Sequence, residues 1–165
     1  MKILIFSDSH SSLRFMRRCV EIIKPDAMVH LGDHYDDGEA LAELFPHIPL
    51  HQVAGNCDRN RCPIHARELL CYDVGGVRVL MTHGHRQWVK QGIGGLLAEA
   101  RRYDARVALY GHTHIPHCHQ EEDGLWVLNP GSAGYNGGSA GVLRTDGQSV
   151  TACYLITQQD LEDMK

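Results

Sequence analysis

Five apolar runs in this 165-residue chain each end in the same kind of short polar segment. Lys2 to Phe6 leads into Ser7-Asp8-Ser9-His10, Ala27 to Leu31 into Gly32-Asp33, and Leu50 to Ala54 into Gly55-Asn56-Cys57-Asp58. Val77 to Thr82 leads into His83-Gly84-His85, and Arg106 to Tyr110 into Gly111-His112-Thr113-His114. Short apolar runs bounded by turn residues read as buried strands. The polar segments then sit at strand ends, 23 to 29 residues apart, about one strand–connection–strand unit each. A chain built this way gathers the carboxyl ends of its strands at one edge, where sheet proteins with helical crossovers bind their ligands.

The connections agree with that plan. Ser12 is placed as a helix N-cap, and Leu13, Met16, Val20 and Ile23 recur at helical spacing until Pro25. Gly38 to Phe45 reads as a second, short helix, so the chain opens β-α-β-α-β. Leu69 to Val74 and Val77 to Thr82 are joined by Gly75-Gly76, a two-residue hairpin signal. A helix follows from about Ile93 to Tyr103, with Leu96, Leu97 and Ala100 as its apolar stripe. Beyond Tyr110 the pattern is short strands with turn signals, a final strand over Gln148 to Ile156, and a polar tail or short helix. This second half is expected to be mostly antiparallel. No repeat, low-complexity stretch or linker marks a boundary, so residues 1–165 are expected to form one domain, long enough to bury a core.

Composition removes several function classes. A formal charge of −4 gives no basic field to track a nucleic-acid backbone. No apolar run approaches the ~20 residues of a membrane span. The N-terminal apolar run is too short for a signal-peptide core, which makes a cytoplasmic protein the expectation. Six cysteines stand without a Cys-x-x-Cys pair and are read as reduced thiols rather than a disulfide framework. Twelve histidines are the unusual number, and they direct attention to metal chemistry.

The strand-end segments supply the candidate ligands Asp8, His10, Asp33, Asn56, His83, His112 and His114. In an extended segment the side chains of His112 and His114 would point the same way and address one small volume. Four imidazoles, two carboxylates and one amide are too many for one ion and suit two. Such a set without thiolates fits Mn first, and Zn, Fe or Ni as well, and excludes a structural cysteine-rich zinc site. Two divalent ions ~3.5–4 Å apart, joined by a carboxylate, form a clamp for displacement at phosphorus.

In order, Asp8-Ser9-His10, Gly32-Asp33, Gly55-Asn56-Cys57-Asp58, Thr82-His83-Gly84-His85 and Gly111-His112-Thr113-His114 resemble the motifs of the calcineurin-like metallophosphoesterases. The nearest group is the small, single-domain YfcE-type phosphodiesterases, and the resemblance runs from Met1 to about Ile156. It includes Asn129-Pro130-Gly131-Ser132, similar to that group's late glycine-rich loop. It implies an α/β fold: a β-sandwich of mixed sheets flanked by helices, with a dinuclear metal site at the carboxyl ends of strands. By the family pattern Asp8, His10 and His114 would hold one ion, Asn56, His83 and His112 the other, and Asp33 would bridge them. A metal-bound hydroxide would attack a small phosphate ester. Many superfamily members carry histidine at the position of Cys57, and the small phosphodiesterase group shows cysteine there. That leaves the general acid open among Cys57, His85 and Asp58. Arg59 and Arg61, beside Asn56, are candidate phosphate contacts.

Three alternatives stand beside the phosphodiesterase: a non-catalytic scaffold like the retromer subunit of the same fold, a phosphomonoesterase, and a nuclease. A homo-oligomer through an edge strand or the hairpin is a further expectation. His117-Cys118-His119 is read as plain strand, because alternation sets the cysteine opposite the two histidines. His30 is read as a core histidine, Asp36 and Asp37 as a solvated loop, and Tyr35, Trp88 and Tyr135 as pocket-edge candidates.

Overall fold

The computed structural model describes residues 1–164 as two five-stranded sheets packed face to face, with helices outside both. The elements of the first half are β1 (Lys2–Phe6), α1 (Leu13–Ile23), β2 (Ala27–His30), α2 (Tyr35–Leu44), β3 (Leu50–Gln52), β4 (Leu69–Val74) and β5 (Val77–Thr82). The second half contributes α3 (Gly94–Arg102), β6 (Val107–Leu109), β7 (His117–Gln120), β8 (Trp126–Asn129), β9 (Ser139–Thr145), β10 (Val150–Thr157) and α4 (Gln158–Asp163).

The strand order is β10-β9-β1-β2-β3 in one sheet and β4-β5-β6-β8-β7 in the other. In the first sheet β1, β2 and β3 run parallel, and β9 and β10 are antiparallel additions. The second sheet corrects an expectation. Its β4–β5 hairpin and β7–β8 pair are antiparallel, but β5–β6 and β6–β8 pair parallel. The parallel pairing β5–β6 spans α3, so the second half repeats the crossover logic of the first.

Strand alternation explains why the apolar runs are continuous. Ile3 and Ile5 of β1 face the space between the sheets, with Val29, Val79, Met81, Val107, Leu109, Leu128 and Leu143. Leu4 and Phe6, on the other face of the same strand, meet Phe15, Met16 and Val20 of α1, Leu41 of α2 and Leu161 of α4. On the far side Leu80, Ala108 and Val127 receive Leu96 and Ala100 of α3. Strands covered on both faces have no polar side to show.

The first helix starts at the expected cap, and the second does not. Ser12 occupies the N-cap of α1 but makes no side-chain capping bond. The second helix begins at Tyr35 rather than Gly38, because the remote Asp58 carboxylate accepts the N–H groups of His34 and Tyr35 at 2.7 and 2.9 Å. A cap supplied 23 residues downstream leaves no local signal.

Candidate metal centre

The carboxyl ends of β1, β2, β5 and β6 and the loop after β3 meet at one edge of the sandwich. Asp8, His10 and His114 present ligand atoms that all lie within 4.8 Å of one another, and Asp33, His83 and His112 form a second such group. Asn56 joins the second: its Oδ1 is 3.1 Å from His83 Nε2. His83 Nε2 is also 3.4 Å from Asp33 Oδ2 and 3.9 Å from Asp8 Oδ1, so the two groups adjoin.

Backbone strain is concentrated here. Asp8, His10, Asp33, His112 and His114 all take positive φ, between 44° and 68°. Non-glycine residues rarely adopt this region, and such strain clusters at ligand sites. It also corrects the reading of His112 and His114 as neighbours on an extended segment. Both are left-handed turn residues, and each joins a different group.

Hydrogen bonds from outside the groups hold this conformation. Asp8 Oδ2 accepts the Ser7 hydroxyl at 2.5 Å and the His112 N–H at 3.0 Å, tying the first ligand segment to the last. A side chain at Gly111 would overlap Ser7 Oγ and come within 2.8 Å of Asp8 Oδ2, which is why glycine precedes His112. Asn129 Nδ2 donates to the Gly111 carbonyl at 2.9 Å and Thr113 Oγ1 at 3.0 Å, and Ser132 Oγ donates to the Asp8 carbonyl at 2.7 Å. Asn129 and Ser132 are thus the supports that ligand chemistry alone did not reveal. Their signal was the late glycine-rich segment.

Asp58 is fully buried, and its two oxygens accept the N–H groups of Asp33, His34, Tyr35 and Gly55 at 2.7 to 2.9 Å. These four bonds tie the Asp33 loop to the Asn56 loop. Asp37 is not a free loop carboxylate either. Its Oδ2 accepts the Ser9 hydroxyl and the Ser11 N–H, both at 2.7 Å. Asp36 is exposed and pairs with Arg61 at 3.3 Å. His30 is buried against Ser9 Oγ at 3.1 Å. His117, Cys118 and His119 all lie in β7. Tyr135, half exposed, stacks on His114 with ring centroids 5.3 Å apart and reaches His10 at 4.8 Å. Arg59 is exposed beside Asn56.

Charge sorts the residues. Burial would raise the Asp33 carboxyl, but the His83 imidazole and the Cys57 N–H, donated to Oδ1 at 2.9 Å, hold it below the usual carboxylate range. Burial opposes protonation of His83, yet Asp33 and Asp8 outweigh it and raise the imidazole. Burial and then His83 push His112 down to about 4, which leaves it neutral and able to ligate. The Cys57 thiol is pushed up to about 11 by burial and then by Asp33. His85 is lowered by burial and then by His83, and its ring lies 5.6 Å from the His83 ring.

The residues fit divalent ions on their own terms. Asp8 Oδ1 is buried with no hydrogen-bond partner, although His114 Nε2 lies 3.0 Å away. The Nε2 atoms of His10 and His114 face each other at 3.5 Å. Lone pairs aimed at a shared point are costly without a cation to receive them.

This combination of a two-sheet sandwich and histidine–carboxylate groups at the strand ends defines a metallophosphoesterase class. The chain belongs to the calcineurin-like phosphoesterase superfamily, whose domain model matches residues 1–156. Among relatives, the phosphodiesterase YfcE of Escherichia coli is 31% identical over 180 aligned residues, covering 92% of each chain. A Streptococcus pneumoniae protein described as a predicted phosphoesterase superposes with a TM-score of 0.76 at 25% identity, covering 96% of this chain and 90% of that one. Vacuolar Protein Sorting 29 of Cryptosporidium parvum shares the fold with a TM-score of 0.70 at 18% identity, covering 94% and 97%.

Proposed function

We propose that this protein is a metal-dependent phosphodiesterase that hydrolyses a small phosphate ester. The observation that carries the reading is the pair of adjoining ligand groups, with the buried Asp8 Oδ1 between them lacking a partner. Asp8, His10 and His114 would hold one divalent ion, and Asn56, His83 and His112 the second, with Asp33 shared. Mn is the first candidate, and the same donors suit Zn, Fe or Ni. When bound, the ions lower the pKa of water to supply a nucleophile and offset the charge that builds on the phosphoryl oxygens.

The chain's residues set the rest. His83 Nδ1–H is fixed on the Leu31 carbonyl at 2.9 Å, which aims Nε2 at the site. Asp33 and Asp8 favour a proton on His83 in the metal-free protein, and a cation held there would compete with that proton. Arg59, exposed near Asn56 in the chain, is the candidate contact for a phosphate oxygen, and Tyr135 lies against His10 and His114.

Proton donation to the leaving group is the weak point. Burial and Asp33 raise the Cys57 thiol to about 11, burial and His83 lower the His85 imidazole, and Asp58 is enclosed by four backbone donors. An active site without a matched acid favours leaving groups that depart unprotonated. Phosphodiesters of acidic alcohols such as phenols are therefore the preferred class.

The test is hydrolysis of bis(p-nitrophenyl) phosphate and of a dialkyl phosphate by protein reconstituted with Mn, Zn, Fe or Ni. Metal-dependent turnover of the aryl diester, falling steeply for the alkyl one, is expected. Protein that holds metal yet turns over neither would overturn the reading in favour of a scaffold.

A further inference from the structure

Away from the metal centre, two cysteines meet across the sandwich. β7 ends one sheet and β10 ends the other on the same side of the molecule, and each carries a cysteine that packs on the core between the sheets. Cys118 Sγ lies 3.4 Å from Cys153 Sγ and 3.4 Å from the Cys153 carbonyl oxygen. Both thiols are partly exposed, whereas Cys19 is buried under α1. The opposite open side is closed differently: Tyr72 of β4 and His51 of β3 share a hydrogen bond of 2.7 Å.

We propose that Cys118 and Cys153 form a reversible disulfide that clasps the two sheets together. Bonding requires the sulfurs to close from 3.4 Å to about 2.05 Å, a shift of about 1.4 Å. Cys153 is the more deeply buried of the two thiols, so a small disulfide in solution meets Cys118 first. Cys118 is therefore the first nucleophile.

The oxidant is a small-molecule disulfide. The Cys118 thiolate attacks one of its sulfurs, forms a mixed disulfide and releases one thiolate. Cys153 then loses its proton to that thiolate and attacks the Cys118 sulfur, so the Cys118–Cys153 bond forms and the second small thiolate leaves and takes a proton from water. In total two protein thiols are oxidised and one small disulfide is reduced to two thiols.

The clasp closes a segment whose ends are 35 residues apart. That segment contains Asn129 and Ser132, which hold the Gly111 and Asp8 backbones. Oxidation therefore stiffens the support of the strand-end edge without touching a ligand. The clasp does not depend on what the metal centre does.

The test is peptide mapping of the full chain after exposure to oxidised glutathione under native conditions. The expected product is a dithiothreitol-sensitive link between the Cys118 and Cys153 peptides within a monomer, with Tm raised by about 5 °C or more. Cys153→Ser is expected to lose both effects and to accumulate the glutathione adduct on Cys118. A stable glutathione adduct on Cys118 of the unmutated protein, or links only between separate chains, would overturn the proposal whether or not the variant folds.

Discussion

His83 Nδ1 donates to the Leu31 carbonyl at 2.9 Å, so the end of β2 dictates the orientation of a ligand carried at the end of β5. With the ring locked, Nε2 falls 3.1 Å from Asn56 Oδ1 and 3.4 Å from Asp33 Oδ2. One backbone carbonyl thus aligns the residue around which the second ligand group is assembled. Fixing the tautomer through the other ring nitrogen is how metal-binding histidines are prepared.

Removing that imidazole separates the two groups. His83→Ala is expected to lower bound Mn from two ions per chain toward one, read by elemental analysis after dialysis. Aryl diester turnover is expected to fall by about 100-fold or more. A variant that keeps both ions and full turnover would remove His83 from the ligand set.

Asp58 is expected to matter for stability first. Asp58→Ala leaves the N–H groups of Asp33, His34, Tyr35 and Gly55 without their acceptor. Loss of these charge-assisted bonds in a buried place should cost about 3–5 kcal/mol in urea unfolding. Asp58→Asn, which keeps one acceptor oxygen, should cost less. If Asp58→Ala unfolds at the same urea concentration as the parent while turnover disappears, the carboxylate acts on substrate after all.

Gly111 is held by contact. Gly111→Ala drives a methyl against Ser7 Oγ and toward Asp8 Oδ2. The expected result is weaker metal binding with circular dichroism little changed, because the strands on either side do not depend on the Asp8–His112 link. Titration of Mn into both proteins by calorimetry decides this, and equal affinity would show that the loop relaxes around the methyl.

The metal-free protein should lose stability on the acid side of neutrality. His10, His30 and His112 are all lowered, mainly by burial, so the unfolded chain binds their protons more readily than the folded one. Their stabilising effect is complete above the unfolded value of about 6.5 and is lost as pH falls, for His112 down to about 4. His83, raised by Asp33 and Asp8, contributes in the opposite sense, with stability present below about 6.5 and lost as pH rises through its folded value. His51, His85 and His117 are lowered by burial as well, so six lowered imidazoles stand against one raised. Urea midpoints at pH 7.5, about 6 and about 4.5 should decrease in that order, and a midpoint that rises toward pH 4.5 would contradict the burial of these imidazoles.

The candidate ligands that the structure brings together were legible because they follow strands, and strands announce themselves by apolar runs. β1, β4 and β5 have the bounds read from the sequence, since turn residues bracket them closely. The parallel pairing of β6 with β8 was not legible. β7 comes between them in sequence, and short strands with turns on either side look the same whether they pair parallel or antiparallel. The start of α2 was hidden for the same kind of reason, since its cap comes from Asp58.

Sequence by itself determined which side chains could ligate, because donor type and position after a strand are local properties. It also determined the doubly covered strands, whose continuous apolar runs leave no solvent face. How the ligands divide was expected only from the family resemblance, and the tertiary structure supplies its physical cause. His112 and His114 are two residues apart, yet one joins Asp33 and His83 and the other joins Asp8 and His10. That division follows from left-handed backbone at both histidines, a conformation imposed by the Asp8 and Asn129 contacts on the Gly111 turn. The Cys118–Cys153 contact has the same origin. It depends on which strands end the two sheets, and strand order follows from packing the whole chain rather than from any stretch of it.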